Sequence, residues 1–221
     1  APVYLAHWEA STYGVWLVFI AATNMLQILD TGHQNYVGNE FLKLGWENKS
    51  SLEQTMSSAV GIAVGLGALA FVLVLITSLA EGWDILFPIE SNLLSSLEFL
   101  LPTHVFVWML FGSVGGVLVR LMSAIGYYSR YAWWGVLIQT TAVVAPMLAC
   151  IFGFNLLGAG LAIVLSTSMI NIALLLDIRR ILRQREFNLV KPNWVMGVRN
   201  LKYSLILTLK AFFEMLRQNG M

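Results

Sequence analysis

The chain has 221 residues, of which 58 % are hydrophobic and only 11 % charged, with a formal net charge of +1. A soluble domain carries charge on about a quarter of its positions, so this chain has too little polar surface to coat a water-solvated globule, and lipid is its expected solvent. The near-zero net charge argues against a nucleic-acid partner, and the single Cys150, set in an apolar run, excludes a disulfide framework or a cysteine-based metal site and reads as helix filler.

The chain opens on Ala1-Pro2-Val3 rather than Met, with no signal-peptide pattern after it, and closes on EMLRQNGM. APVYLA reads as the tail of a helix whose beginning is absent, so a fragment is expected. Charge-free windows then place the membrane spans, each of which needs about 20 residues to cross the hydrocarbon core. The first covers residues 11–29, with Ser11 and Thr12 as N-caps after Glu9. Its strip Asn24, Gln27, Thr31 recurs at i, i+3, i+7 on one face. Such residues either hydrogen-bond neighbouring helices or touch substrate.

The segment Asp30-Thr31-Gly32-His33-Gln34-Asn35-Tyr36-Val37-Gly38-Asn39-Glu40 follows. It reads as a polar loop, in which Asp30 ends the apolar helix and Gly32 permits a break. Val37, Phe41, Leu42 and Leu44 then suggest a short amphipathic helix lying on the membrane surface. One reading is a capped turn; the other is a gate formed by Asp30, Gly32, His33, Gln34 and Asn35.

The second span lies within residues 56–80, where glycines and alanines allow close helix approach. A third follows Pro102 and runs to about Met122; Ser113, Arg120, Ser123 and Tyr127 fall roughly on one of its faces. Residues 131–176 carry no charge, and the turn GFNLLG divides them into a fourth span, 131–152, and a fifth, 158–176. Asn171 in the fifth reads as interhelical glue. A weaker sixth candidate covers about 195–216. There Lys210, Glu214 and Arg217 recur at i, i+4, i+7. Lys210 and Glu214 can pair with each other, or the stripe can line a hydrated cavity that takes an anion, with Arg217 snorkelling at the far end.

Lys43 and Lys49, then Arg120 and Arg130, then Arg179, Arg180, Arg183, Arg185 and Lys191 fill alternate connections, and the others hold neither Lys nor Arg. The basic side is expected to be cytoplasmic. Trp46, Trp83, Trp133, Trp134 and Trp194 fall near the expected helix ends, as an interfacial belt would place them. His7, His33 and His104 form no metal-ligand spacing, and no phosphate-binding glycine loop occurs, so neither an enzyme nor a cofactor is expected. The fold class is therefore all-α, a polytopic transmembrane bundle of about six spans.

A family resemblance rests on Tyr13-Gly14-Val15-Trp16, on Leu29-Asp30-Thr31-Gly32 with the segment after it, and on LKYSLILTLKAFFEMLRQNG near the end. The chain resembles bacterial O-antigen and polysaccharide flippases of the multidrug/oligosaccharidyl-lipid/polysaccharide exporter superfamily. The resemblance implies half of a two-lobe exporter in the inner membrane. Residues 1–178 would form the N-terminal lobe with a truncated first helix, 179–194 a cytoplasmic basic loop, and 195–221 the first helix of a second lobe. It implies transport of an undecaprenyl-diphosphate-linked oligosaccharide, with a polysaccharide polymerase as a further partner. Lys210 and Arg217 would hold the diphosphate, with Glu214, Asn24, Gln27 and Arg120 beside them. Competing expectations are a drug/cation antiporter of the same superfamily, which would use membrane-embedded acids, and a non-transporting scaffold subunit.

Overall fold

The computed structural model describes residues 2–80, 83 and 91–218, and among these it is helical with no strand. The helices are α1 (Pro2–His7), α2 (Ala10–Leu44), α3 (Lys49–Leu79), α4 (Ser91–Val107), α5 (Ser113–Ala124), α6 (Tyr128–Ile151), α7 (Leu156–Gln184) and α8 (Trp194–Gln218). A single π turn, Trp108–Gly112, joins α4 to α5, so Asn92–Ala124 runs on as one span. Among the described residues, four helices are long and apolar enough to cross a membrane: α3, Asn92–Ala124, α6 and α7. The count is five if α2 is taken as one span, since its halves Ala10–Ile28 and Asp30–Leu44 meet at 43°.

Several sequence expectations need correction. The third span does not wait for Pro102. It starts at Ser91 and carries the proline inside the helix, because Leu97, Leu100 and Leu101 before it are fully buried and neighbouring helices can compensate for a missing N–H. Residues 30–40 are not a loop: they are helical throughout, and the change of direction expected at Asp30 is made by a 43° bend within α2, where Ala10–Ile28 meets Asp30–Leu44. Nor does the apolar side of residues 30–44 face outward. Val37 and Phe41 have bundle partners in Leu52, Met56, Met122 and Leu174, so their apolar face packs inward. The basic connection is shorter than 179–194, since α7 stays helical to Gln184. Trp83 departs from the interfacial belt, being buried with its Nε1 donating to Ser78 Oγ at 3.0 Å. Trp46, Trp133 and Trp194 are exposed, as the belt requires. The sequence also sets an acidic connection, Glu81, Asp84, Glu90 and Glu98, after the second span; its first three acids lie outside the described residues, and Glu98 lies within α4.

The turn between α6 and α7 follows its sequence. Gly153 takes a left-handed φ of +81°, which terminates α6 as a glycine does best. Asn155 Oδ1 then caps α7 by accepting from Gly158 N at 3.0 Å.

The sixth candidate, α8, does not meet the length-and-apolarity measure. Its buried residues are Gly197, Asn200, Ser204 and Thr208, while Val195, Val198, Ile206, Leu209 and Phe213 are exposed. This is an amphipathic helix with its small polar stripe turned inward. Tyr36 meets Tyr203, and Gly32 meets Thr208, so α8 runs antiparallel to α2. Gln54 meets Lys191, Ser58 meets Asn193, and Ile62 meets Gly197, so it runs parallel to α3. The up-and-down order gathers Lys43, Lys49, Arg130 and the arginines of α7 at one end of the bundle, here called the basic end.

Candidate functional site

The basic half of α2 packs against α5, and two glycines set how close they come. A Cβ at Gly38 would stand 3.0 Å from Arg120 Cδ, and one at Gly116 would overlap the Gln34 amide. Bare backbone at both places lets Arg120 and Gln34 cross the interface. Arg120 Nη1 donates to Gln34 Oε1 and to Gly116 O, each at 2.7 Å, and Nη2 donates to Asn35 Oδ1 at 2.7 Å. Gln34 Nε2 in turn donates to Asp30 Oδ2. The guanidinium is thus fixed by three short bonds and held in one geometry. A neutral amide stands between it and the buried carboxylate.

Beside this network lies a cleft of about 500 Å³. Asn35, Gly38, Asn39 and Leu42 of α2 form one wall, Arg120 and Ser123 of α5 the floor, and Tyr128 and Tyr131 the rim. Leu207, Lys210 and Glu214 of α8 close the far side. Lys210 Nζ sits 3.8 Å from Glu214 Oε1, with 71 % and 51 % of the two side chains exposed. Two cations and one carboxylate leave the cleft a net positive charge, and its amides, hydroxyls and phenols can donate to neutral oxygens as well.

The remaining sequence-selected residues divide clearly. Asp30, His33 and Gln34 are buried inside the bundle, with Asp30 only 1 % exposed. Among the described residues Asp30 Oδ1 has no hydrogen-bond partner, since the nearby Ser113 hydroxyl donates to Ala63 O at 2.9 Å. His33 Nε2 donates to Ala59 O at 3.3 Å. Gly32 packs against Thr208, so its role is close approach rather than a break. Arg217 is exposed and does not line the cleft. Asn24 and Thr31 are exposed, while Gln27 turns inward and donates to His104 Nε2 at 3.3 Å, away from the cleft. Asn171 bonds Thr167 O of its own helix at 2.9 Å rather than a neighbour. Sequence reading did not single out Tyr128 and Tyr131. Their i, i+3 spacing on either side of Arg130 was the available signal.

The linker before α8 docks on α3. Val190 N donates to Ser57 Oγ, Asn193 N to Ser58 Oγ and Asn188 N to Glu53 Oε1, each at 2.9 Å. These bonds bring α8 to the cleft at a fixed register. Comparison with protein-family models, curated proteins and solved structures finds no match for this chain.

Proposed function

We propose that this protein belongs to an exporter that carries a lipid-linked, undecaprenyl-diphosphate oligosaccharide across the bacterial inner membrane for polysaccharide biosynthesis. The observation that supports the reading is the cleft with Arg120 on its floor and Lys210 on its far wall. A diphosphate needs cations, and a guanidinium already fixed by Gln34, Gly116 and Asn35 adds its charge and its two remaining N–H donors at little entropic cost. Glu214 beside Lys210 tempers the attraction, as a carrier that must also release its cargo requires. The amides and phenols of Asn39, Tyr128 and Tyr131 suit sugar hydroxyls. On this reading the bundle is half of a two-lobe, six-span-per-lobe carrier, with α8 opening the second lobe and the basic end cytoplasmic.

One observation favours a second reading, the drug/cation antiporter of the same superfamily. Asp30 lies within α2 rather than at its end, buried and with one carboxylate oxygen unpartnered, which is the membrane-embedded acid such a carrier would use. Surface glycan in cells whose chromosomal gene carries single changes separates the two. The flippase reading expects Arg120→Gln to remove surface glycan and Arg120→Lys to retain part of it. Lys210→Gln with Glu214→Gln should stay impaired. Normal glycan in every variant, together with loss of drug efflux in Asp30→Asn, transfers the assignment to the antiporter.

A further inference from the structure

A second basic feature lies outside the cleft, on the last turns of α7. Leu176, Arg179, Arg180, Arg183 and Gln184, all on this one helix, line an open hollow of about 380 Å³. Several other basic residues at this end are already occupied. Arg130 pairs with Asp177 at 2.8 Å, Lys43 with Glu40 at 2.7 Å and Lys49 with Glu186 at 3.9 Å. Arg185 lies over the rings of Trp46 and Tyr127. Two acids at this end are committed as well. Asp177 also accepts from Trp134 Nε1, and Glu53 accepts from Asn188 N. Among the described residues, Arg179, Arg180 and Arg183 therefore have no ion pair.

The same helix face continues away from the hollow as an apolar track. Leu165, Met169, Ile172 and Leu176 recur at i, i+4, i+7 and i+11, so they form one stripe leading to the arginines, and all four are exposed. A cationic hollow at the end of an exposed apolar stripe on a membrane-crossing helix has the shape of a single phospholipid, with phosphate at one end and acyl chain along the other.

We propose that this face of α7 is a binding site for an anionic phospholipid, with the phosphodiester held by Arg179, Arg180 and Arg183 and an acyl chain lying along Leu176, Ile172, Met169 and Leu165. Arginine forks match phosphate oxygens in pairs, and each cation near an anionic headgroup contributes about a five-fold preference. Three together give a preference of about 100-fold over a zwitterionic lipid. The site is separate from the cleft and does not depend on what the cleft carries.

The test is native mass spectrometry of the full chain in micelles holding equal amounts of phosphatidylglycerol and phosphatidylcholine. The expected result is retained phosphatidylglycerol, a preference reduced by about 100-fold in Arg179→Gln/Arg180→Gln/Arg183→Gln, and most of it kept in the corresponding triple lysine variant. Lys191→Gln/Arg199→Gln/Lys202→Gln removes three other exposed cations and should leave the preference intact. Met169→Asp breaks the acyl track alone and should shorten retention with all three arginines present. Inorganic phosphate added at the lipid's concentration should not displace the lipid. Equal retention of both lipids by the unmodified protein, displacement by free phosphate, or an equal loss in the Lys191/Arg199/Lys202 variant would each overturn the proposal. The first two comparisons need no substitution, so a variant that fails to fold does not protect the idea.

Discussion

Away from the basic end, Tyr4, Trp8, Tyr13, Trp16 and Phe19 stack with ring centroids 5.2–6.0 Å apart, over a core of Leu97, Leu100, Leu101, Ala159 and Ile163. At the basic end the interior is shared differently. Val37, Phe41, Leu52, Met56 and Met122 are buried there, but so are Asp30, His33, Gln34, Thr55, Ser57 and Ser58. The same helices run through both halves, so the contrast is not one of fold. Dispersion and aromatic contact dominate the first half, with scattered polar links such as Trp8 Nε1 donating to Phe154 O at 3.0 Å and Gln27 to His104. In the second, each buried polar group needs a bond to offset its desolvation. The chain has concentrated its polar side chains where the cleft lies and where α8 attaches, and has made the opposite half from residues that do little besides pack.

That contrast predicts an asymmetry between two glycines of the same helix. A Cβ at Gly32 would stand 2.8 Å from Thr208 Cα, a backbone atom that cannot step aside, whereas one at Gly14 meets nothing within 4 Å. Gly32→Val should cost about 3 kcal/mol, at the upper end of overpacking effects. Gly14→Val should stay within about 0.5 kcal/mol, as surface changes do. Thermal unfolding of both variants in the same detergent reads the difference. Equal midpoints would mean that α8 is not seated on α2 as described.

A smaller effect is expected where α8 is tied down by hydrogen bonds. Ser58 Oγ accepts from Asn193 N at 2.9 Å and donates to Gln54 O at 2.7 Å. Ser58→Ala leaves the Asn193 amide without that acceptor at a cost of about 1–2 kcal/mol. Hydrogen exchange should rise at Asn193 and along the first turn of α8, while α6 and α7 keep their protection. Uniformly raised exchange would show that the linker is not a separate attachment.

Most of the helical frame was legible in the sequence because apolarity is what a membrane span needs. The windows for α3, α6 and α7 required only that residues 56–80 and 131–176 lack charge. The reading failed where polarity points inward. Asp30, His33 and Gln34 read as a loop because in water polar residues mark the outside; here they are buried and hydrogen-bonded within the bundle. In α8 the inward stripe Gly197, Asn200, Ser204, Thr208 spaced at three to four residues was readable, but the charges of the neighbouring face drew attention instead. Arg120, Asn35, Lys210 and Glu214 were each singled out, yet nothing in one sequence joins positions so far apart. Only the crossing at Gly38 and Gly116 does so.

The finest test of the contrast concerns Lys210 and Glu214. They line the cleft and are 71 % and 51 % exposed, with 3.8 Å between Nζ and Oε1. If the cleft holds water, each charge keeps most of its hydration, and an exposed pair of this kind contributes less than about 0.5 kcal/mol. If the same face were turned to hydrocarbon, losing the partner would strand a lysine in lipid at a cost of about 2.5–3.5 kcal/mol. The two situations therefore differ several-fold for one substitution, Glu214→Gln, which preserves shape and removes only charge. The cleft geometry expects the small value: an unfolding midpoint in nanodiscs nearly equal to that of the unmodified chain, shifting little more in 0.5 M salt. The control is Leu209→Glu, the residue before Lys210 and about 100° round the helix from it on the exposed apolar side, which should lose stability by the larger amount. A large loss in Glu214→Gln, comparable with that of Leu209→Glu, would place Lys210 against lipid and remove it from any role in holding an anion.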